Sequence, residues 1–151
     1  AGSPWQKSSS ITASAVARAR MVAKAIAPHE HFELSTREIE RSGPTFTIDS
    51  VREFMSAQPL DHFVLLLGSD AFNGIPTWRE HEELVKLIDI VVAIRPGVEL
   101  QRVPGAHVRI VESEMFTISS TEIREAARTG ADLLQFVPAE IIDDVRQIYG
   151  A

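Results

Sequence analysis

The sequence contains no cysteine, and that absence excludes several kinds of chemistry. The protein has no disulfide framework, no thiolate metal site and no cysteine nucleophile. A composition free of disulfides fits a reducing compartment. We therefore expect a cytoplasmic protein.

Positive charge and long apolar stretches are also scarce. Lysine and arginine number 15 against 21 aspartates and glutamates, which gives a formal net charge of −6. Proteins that bind nucleic acid usually carry a basic patch, so we expect no nucleic acid partner. The longest apolar run, residues 88–94, contains Asp89 and is far shorter than the roughly 20 residues that span a bilayer. We expect no membrane partner either.

Common catalytic signatures are absent from the sequence as well. It has no G-x-S-x-G, H-E-x-x-H, Walker or G-x-G-x-x-G motif. His29, Glu30 and His31 are adjacent, but they lack a placed third ligand and are more typical of a solvated loop than of a metal site. An enzymatic function must therefore rest on groups that bind substrates.

The sequence does contain alternating candidates for strands and helices. Residues 63–67 and 88–94 are short, continuous apolar runs, which favour buried parallel strands, and a helical pattern over residues 77–87 lies between them. The other candidates are helices at residues 12–26, 119–130 and 138–150, a helix capped by Thr47 or Asp49 that ends before Pro59, and strands at residues 31–34 and 107–111. This order predicts an α/β fold in one domain, residues 1–151, with an open, mostly parallel, doubly wound sheet.

The ends of the two apolar runs carry residues suited to a ligand, because such sheets bind ligands beyond the carboxyl ends of their strands. Gly68 permits close backbone approach, and Asp70 can accept hydrogen bonds from a ribose diol, although taken alone the motif is more typical of a plain turn in which Asp70 caps the next segment. Arg95 ends the second run and is suited to an anion contact or to a surface salt bridge.

Trp78 follows a Pro-Thr turn and precedes Arg79. A tryptophan beside a cation is well shaped to stack on a flat, electron-poor ring. Packing of the same side chain on the core explains the pattern equally well.

The segment ISSTEIR, residues 118–124, combines a helix start with an unexpected cation. Ser119 and Glu122 have the spacing of a capping box. Arg124 lies near the amino end of this helix, where the dipole disfavours positive charge. Backbone N–H groups, the hydroxyls of Ser119, Ser120 and Thr121, and the Arg124 guanidinium would converge on one phosphate-sized volume. We favour an anion site, because a capping box alone leaves Arg124 unexplained.

Short motifs are spread along nearly the whole chain. In order, they are GSPWQK at residues 2–7, GPTFT at 43–47, GSD at 68–70, TWR at 77–79, RPG at 95–97 and ISSTEIR at 118–124. In this, the chain resembles the bacterial nicotinate mononucleotide adenylyltransferases of the nucleotidyltransferase superfamily. The ISST-x-IR element is shared across much of that superfamily, while GPTFT and TWR point to the nicotinate branch.

The resemblance implies a Rossmann-like nucleotidyltransferase fold and transfer of an adenylyl group. ATP and nicotinate mononucleotide would be the partners, deamido-NAD and pyrophosphate the products, and Mg²⁺ would be carried with ATP. Nothing in the sequence fixes the oligomeric state, and a homo-oligomer stays open.

For the nicotinate end, the resemblance implies that Trp78 stacks on the ring while Thr47 and the backbone near Arg79 hold the carboxylate. The family often has an aromatic residue at the position of Arg79, whose guanidinium could instead pair directly with that carboxylate.

For the ATP end, the resemblance implies that Gly68 and Asp70 lie against the ribose and Ile118 beside the adenine. The triphosphate would be held by residues of the ISSTEIR segment, Ser119, Ser120, Thr121 and Arg124. Lys7 would lie near the phosphates.

The chain departs from the family at its start. None of the five histidines belongs to the family's H-x-G-H motif, which contacts the phosphates in transfer. We therefore expect the family's first strand, its phosphate loop and the following helix to be missing from this chain. The alternatives are a non-catalytic nucleotide-binding remnant and a phosphopantetheine-type adenylyltransferase.

Overall fold

The computed structural model describes residues 13–94, 97–112 and 119–150. Its α-helices are α1 (Ala15–Ile26), α2 (Arg37–Glu40), α3 (Thr47–Ala57), α4 (Ser69–Asn73), α5 (His81–Leu87), α6 (Ser120–Thr129) and α7 (Ile142–Tyr149). Its strands are β1 (Val64–Gly68), β2 (Asp89–Ile94) and β3 (Val108–Glu112). Short 3₁₀ helices occupy Ile75–Thr77 and Ala139–Ile141.

The strands form one parallel sheet in the order β1-β2-β3. Leu66 pairs with Val91, and Val91 pairs with Arg109. The connection from β1 to β2 runs through α4 and α5, which is the crossover that a parallel pair requires. The prediction of an open parallel α/β sheet is confirmed.

Burial differs between the strands of this sheet. Ile90 and Val92 of β2 are buried, as expected for a central strand. Val64 and Leu66 of β1 are exposed, so the prediction of burial on both faces is wrong for that strand. Within the described residues β1 pairs only with β2, and an edge strand lacks the neighbours that would cover it.

The chain divides into two compact units, Phe46–Thr117 and the combination of Ala1–Thr45 with Ile118–Ala151. The first unit holds the sheet and two apolar clusters. One cluster joins β2 to the residues after β1, through Ile90, Val92, Phe72 and Ile75. The other cluster is Ile48, Val51, Leu84 and Ile88, which packs α3 against α5.

In the other unit, α6 and α7 pack around Ala127, Leu133 and Val145. Asp144 of α7 is only 5% exposed. It forms ion pairs with two cations of α1, Arg20 at 2.7 Å and Lys24 at 2.5 Å, which hold α1 on α7. The hydrogen bond from Lys24 and the charge of Arg20 lower the pKa of Asp144. Burial acts in the opposite direction but does not cancel this lowering.

Three local predictions are wrong. Residues 31–34 form no strand, and Phe32 is 64% exposed, because a short apolar stretch becomes a strand only when a neighbouring strand pairs with it. Neither Thr47 nor Asp49 caps α3, since Phe46 occupies the cap position without a side-chain hydrogen bond. The helix expected from residue 77 begins only at His81.

Candidate functional site

The carboxyl end of β1 has space above its last residue. Gly68 has φ −78° and ψ 159°, a conformation open to any residue. A Cβ built on Gly68 would meet no described atom within 4 Å. Neither backbone strain nor a crowded neighbour therefore requires glycine here, and the space beside it can admit a ligand. Asp70 follows in the first turn of α4, whose cap position belongs to Gly68.

Trp78 lies at the end of a tight turn beyond α4. The Thr77 hydroxyl donates to the Gly74 carbonyl at 2.8 Å, and the Trp78 N–H donates to the Ile75 carbonyl at 2.8 Å. The indole is half-buried and packs against both apolar clusters of the sheet unit. It thus serves the core while leaving part of its surface accessible.

Arg79 is placed against the first turn of α3, which begins at Thr47. Its guanidinium lies 4.8 Å from the ring centroid of Phe46, the residue that precedes this helix. Arg79 Nη1 is also 3.7 Å from a carboxylate oxygen of Asp49 in that turn. These contacts bring the Thr-Trp-Arg turn to the amino end of α3.

Glu80 continues this arrangement with an unusual backbone. It has φ 51° and ψ 37°, the left-handed conformation, which costs an L-residue roughly 1–2 kcal/mol. Its carboxylate forms ion pairs with Arg52 Nη2 at 2.7 Å and with Arg79 Nε at 3.3 Å. The hydrogen bond from Arg52 is the main reason that the pKa of Glu80 is lowered. The same Arg52 nitrogen lies 2.7 Å from Glu83 of α5.

Asn73 fixes the loop that follows β2. Its side-chain amide donates to the Glu99 carbonyl at 2.9 Å, and the Gln101 N–H donates to its carbonyl oxygen at 2.9 Å. The end of α4 and the loop after β2 are therefore tied together beyond the carboxyl ends of the strands.

In the other unit, the start of α6 is closed by a capping box, as predicted. The Ser119 N–H donates to the Glu122 carboxylate at 2.6 Å, and the Glu122 N–H donates to the Ser119 hydroxyl at 3.2 Å. The hydrogen bonds from Ser119 lower the pKa of Glu122. These bonds hold the first turn of α6 in one geometry.

Arg124 folds back over this first turn. Its Nε donates to the Ser120 carbonyl at 3.0 Å, and its Nη2 lies 3.4 Å from the Thr121 hydroxyl. The guanidinium is thus held over the first turn of α6, against the Ser120 carbonyl and the Thr121 hydroxyl. Such an arrangement concentrates donors and positive potential in one place, which suits an oxyanion.

The chain matches the cytidylyltransferase-like family over residues 2–126, most of its length. A probable nicotinate-nucleotide adenylyltransferase from Frankia alni is 35% identical to it over 144 residues, covering 93% of this chain and 76% of that protein. The chain belongs to the nicotinate-nucleotide adenylyltransferase family, within the cytidylyltransferase-like proteins.

Other relatives carry the same description. A probable nicotinate-nucleotide adenylyltransferase from Streptomyces coelicolor is 34% identical over 152 residues, covering 98% of this chain and 81% of that protein. The one from Geobacillus kaustophilus is 34% identical over 136 residues, and these span 89% of this chain but only 62% of the relative's length.

Solved structures agree on the fold. The nicotinic acid mononucleotide adenylyltransferase of Plasmodium falciparum superimposes with a TM-score of 0.69 in its complex with APC and 0.70 in its complex with NaAD. Both superpositions cover 89% of this chain at 19% sequence identity. They cover 74% of the Plasmodium chain in the APC complex and 73% in the NaAD complex. The predicted nucleotidyltransferase fold is confirmed.

The predicted site residues fall into two described groups and one set outside them. The sheet unit contains Thr47, Gly68, Asp70, Trp78 and Arg79, and the other unit contains Ser119, Ser120, Thr121 and Arg124. Lys7, Arg95 and Ile118 lie outside the described residues.

Sequence reasoning missed the residues that surround Arg79. Phe46, Asp49, Arg52 and Glu80 contact one another or Arg79 across the space between α3 and α5. The acidic residues after Trp78 were visible in the sequence, but which cation each one meets depends on how the two helices pack.

Two features are absent from residues 13–94, 97–112 and 119–150. No group of three histidine or acidic side chains in these ranges could hold a metal ion. No helix in the same ranges is long and apolar enough to cross a membrane.

Proposed function

We propose that this protein transfers the adenylyl group of ATP to nicotinate mononucleotide, giving deamido-NAD and pyrophosphate. The single observation that carries this proposal is the Arg124 guanidinium, held over the first turn of α6 by the Ser120 carbonyl and the Thr121 hydroxyl. Membership of the nicotinate-nucleotide adenylyltransferases supports the choice of substrates.

The phosphates of ATP would bind at the start of α6. Ser119, Ser120 and Thr121 would add hydroxyls to the helix N–H groups, and Arg124 would supply a fixed positive charge that stabilises the negative charge developing on the phosphates in the transition state. Lys7, Arg95 and Ile118 would contribute further contacts to ATP.

The nucleoside ends would bind in the sheet unit. Gly68 would let the ribose of ATP approach the backbone, and Asp70 would accept its hydroxyls. Trp78 would stack on the nicotinate ring, while Thr47 and Arg79 would face its carboxylate. The open space at Gly68 and the accessible part of the indole support these assignments.

The reaction requires no covalent intermediate with the protein. An oxygen of the nicotinate mononucleotide phosphate attacks the α-phosphorus of ATP, the bond from that phosphorus to the bridging oxygen breaks, and pyrophosphate leaves with the electron pair. We propose that Mg²⁺ arrives with ATP and is held mainly by phosphate oxygens and water. The protein would supply positioning and charge stabilisation. We also propose a cytoplasmic setting, which the lack of cysteine supports.

Isothermal titration together with a pyrophosphate assay tests the proposal. We expect the protein to bind nicotinate mononucleotide and MgATP and to release pyrophosphate only when both are present. Trp78→Ala should abolish binding of the mononucleotide, and Arg124→Ala should weaken MgATP. Arg128→Ala is the matched control, because Arg128 lies in the same helix and pairs with Glu125.

The outcomes separate the candidate functions. No binding of either nucleotide would overturn the proposal. Binding of both without pyrophosphate release would overturn the transferase and leave the nucleotide-binding alternative.

A further inference from the structure

Glu80 is the one non-glycine residue with positive φ among those that the structure describes. It directly follows Trp78 and Arg79 and occupies the cap position of α5. An L-residue stays in this conformation only when its surroundings hold it there, and such residues cluster at functional sites. The contacts of the Glu80 side chain therefore indicate what holds this conformation and which function it could serve.

Those contacts join two helices through one carboxylate. The Glu80 oxygen Oε2 forms an ion pair with Arg52 of α3 at 2.7 Å, and Oε1 forms one with Arg79 at 3.3 Å. Arg52 approaches Glu83 of α5 at 2.7 Å as well, so its guanidinium is itself held in place. The turn carrying Trp78 is thereby tied to the side of α3.

The same carboxylate restricts where the Arg79 guanidinium can lie. Besides Glu80, Arg79 contacts the Phe46 ring at 4.8 Å and Asp49 at 3.7 Å. Three neighbours thus define one position for a long side chain that would otherwise sample many rotamers. That position is at the first turn of α3, the helix that begins at Thr47.

We propose that Glu80 and Arg52 are positioning residues for the nicotinate end of the site. They hold Arg79 and the Trp78 turn in the binding geometry before the substrate arrives. This inference rests on the proposed function, because Trp78 and Arg79 are assigned there to the nicotinate ring and carboxylate. The proposed function assigns the triphosphate to the start of α6 and not to these two residues, so their effect should fall on binding of the mononucleotide.

Kinetics of Glu80→Gln and Arg52→Met test the proposal. Each should raise the KM for nicotinate mononucleotide about fivefold, with kcat and the KM for ATP unchanged. Arg52→Lys should recover part of the loss, because it keeps the charge but not the planar fork. Glu82→Gln is the control, since it makes the same charge change at an exposed side chain in the first turn of α5 and leaves the contacts of Glu80 and Arg52 in place. An equal rise in KM for Glu82→Gln, or a fall in kcat alone, would overturn the proposal.

Glu80→Gly separates the carboxylate from the backbone. Glycine adopts the left-handed conformation without strain, so this variant should keep the bend and its melting temperature. It should nevertheless show the same rise in KM as Glu80→Gln. A wild-type KM in Glu80→Gly would show that only the bend matters and would overturn the proposal.

A measurement without substrate tells failure of this inference from failure of the proposed function. The sequence has two tryptophans, so in a Trp5→Phe background the fluorescence reports Trp78 alone. Glu80→Gln should raise acrylamide quenching of Trp78, while the control Glu82→Gln should leave it unchanged. Unchanged quenching in Glu80→Gln overturns the positioning role. A wild-type protein that binds no mononucleotide overturns the proposed function, and this inference with it.

Discussion

Arg124 Nε lies 3.0 Å from the carbonyl oxygen of Ser120, four residues earlier in α6. This bond turns the guanidinium toward the amino end of its own helix, where a cation is unfavourable unless an anion joins it. The residue therefore gives up helix stability for a charge placed at a helix start.

The first prediction concerns this charge. Arg124→Met should lower the affinity for MgATP by at least about tenfold, because hydrogen bonds to charged groups contribute this much. The affinity of Arg124→Lys for MgATP should lie between those of Arg124→Met and the wild type, since a lysine keeps the charge but lacks the planar fork of donors. Titration calorimetry measures both, with Arg128→Met as the control. Wild-type affinity in Arg124→Met would remove this residue from the phosphate site.

The second prediction compares two glycines that are glycine for different reasons. Gly68→Ala should leave the melting temperature unchanged, since its φ is ordinary and its surroundings are open, but should weaken ATP binding. Gly130→Ala should destabilise the protein by about 1 kcal/mol, because Gly130 ends α6 with φ 73°. Thermal melts and ATP titrations of both variants check the pair. Unweakened ATP binding in Gly68→Ala would contradict the ribose assignment.

The third prediction separates adjacent serines at the start of α6. Ser119→Ala should cost about 0.5–2 kcal/mol of stability, because Ser119 is the cap. Ser120→Ala should leave stability nearly unchanged and lower the affinity for MgATP. Chemical denaturation and calorimetry provide the two readouts. Equal loss of stability in both variants would show that the capping bonds do not distinguish them.

The fourth prediction is a pH dependence that comes from Asp144. Its pKa is lowered from the ordinary value of 3.8 by the hydrogen bond from Lys24 and the charge of Arg20. A carboxylate with a depressed pKa in the folded state contributes stability above its unfolded pKa, and that contribution disappears as pH falls through the folded value. We expect the difference in melting temperature between wild type and Asp144→Asn to be constant near neutral pH. It should shrink below about pH 4. A difference that stays constant down to about pH 2 would contradict this.

Much of the sheet could be predicted from local pattern. The apolar runs at residues 63–67 and 88–94 are short and continuous, and the helix between them indicated a parallel crossover. The capping box of Ser119 and Glu122 was equally readable, because it depends on residues within one turn. The false strand around Phe32 had the right composition, but strand formation depends on a partner that composition does not reveal.

The site was predictable as a set of motifs and not as a set of contacts. Trp78 and Arg79 could be named from their segment, yet the carboxylate that meets Arg79 belongs to a residue in a rare backbone conformation. Nothing in the sequence around Glu80 marks that conformation, since glycine or asparagine would be its usual residues. Its partner Arg52 lies in another helix, and only the packing of α3 on α5 brings the two together.

The amide of Asn73 has a consequence for how the chain can change. Its bonds to Glu99 and Gln101 lie on either side of Leu100, whose side chain packs against the cluster around Ile90. The length of this loop is therefore constrained. Adding or deleting one residue before Leu100 would place a charged or amide side chain where Leu100 packs against the apolar cluster. Length variation in this protein should consequently avoid residues 97–100, although Gly97 and Glu99 are exposed.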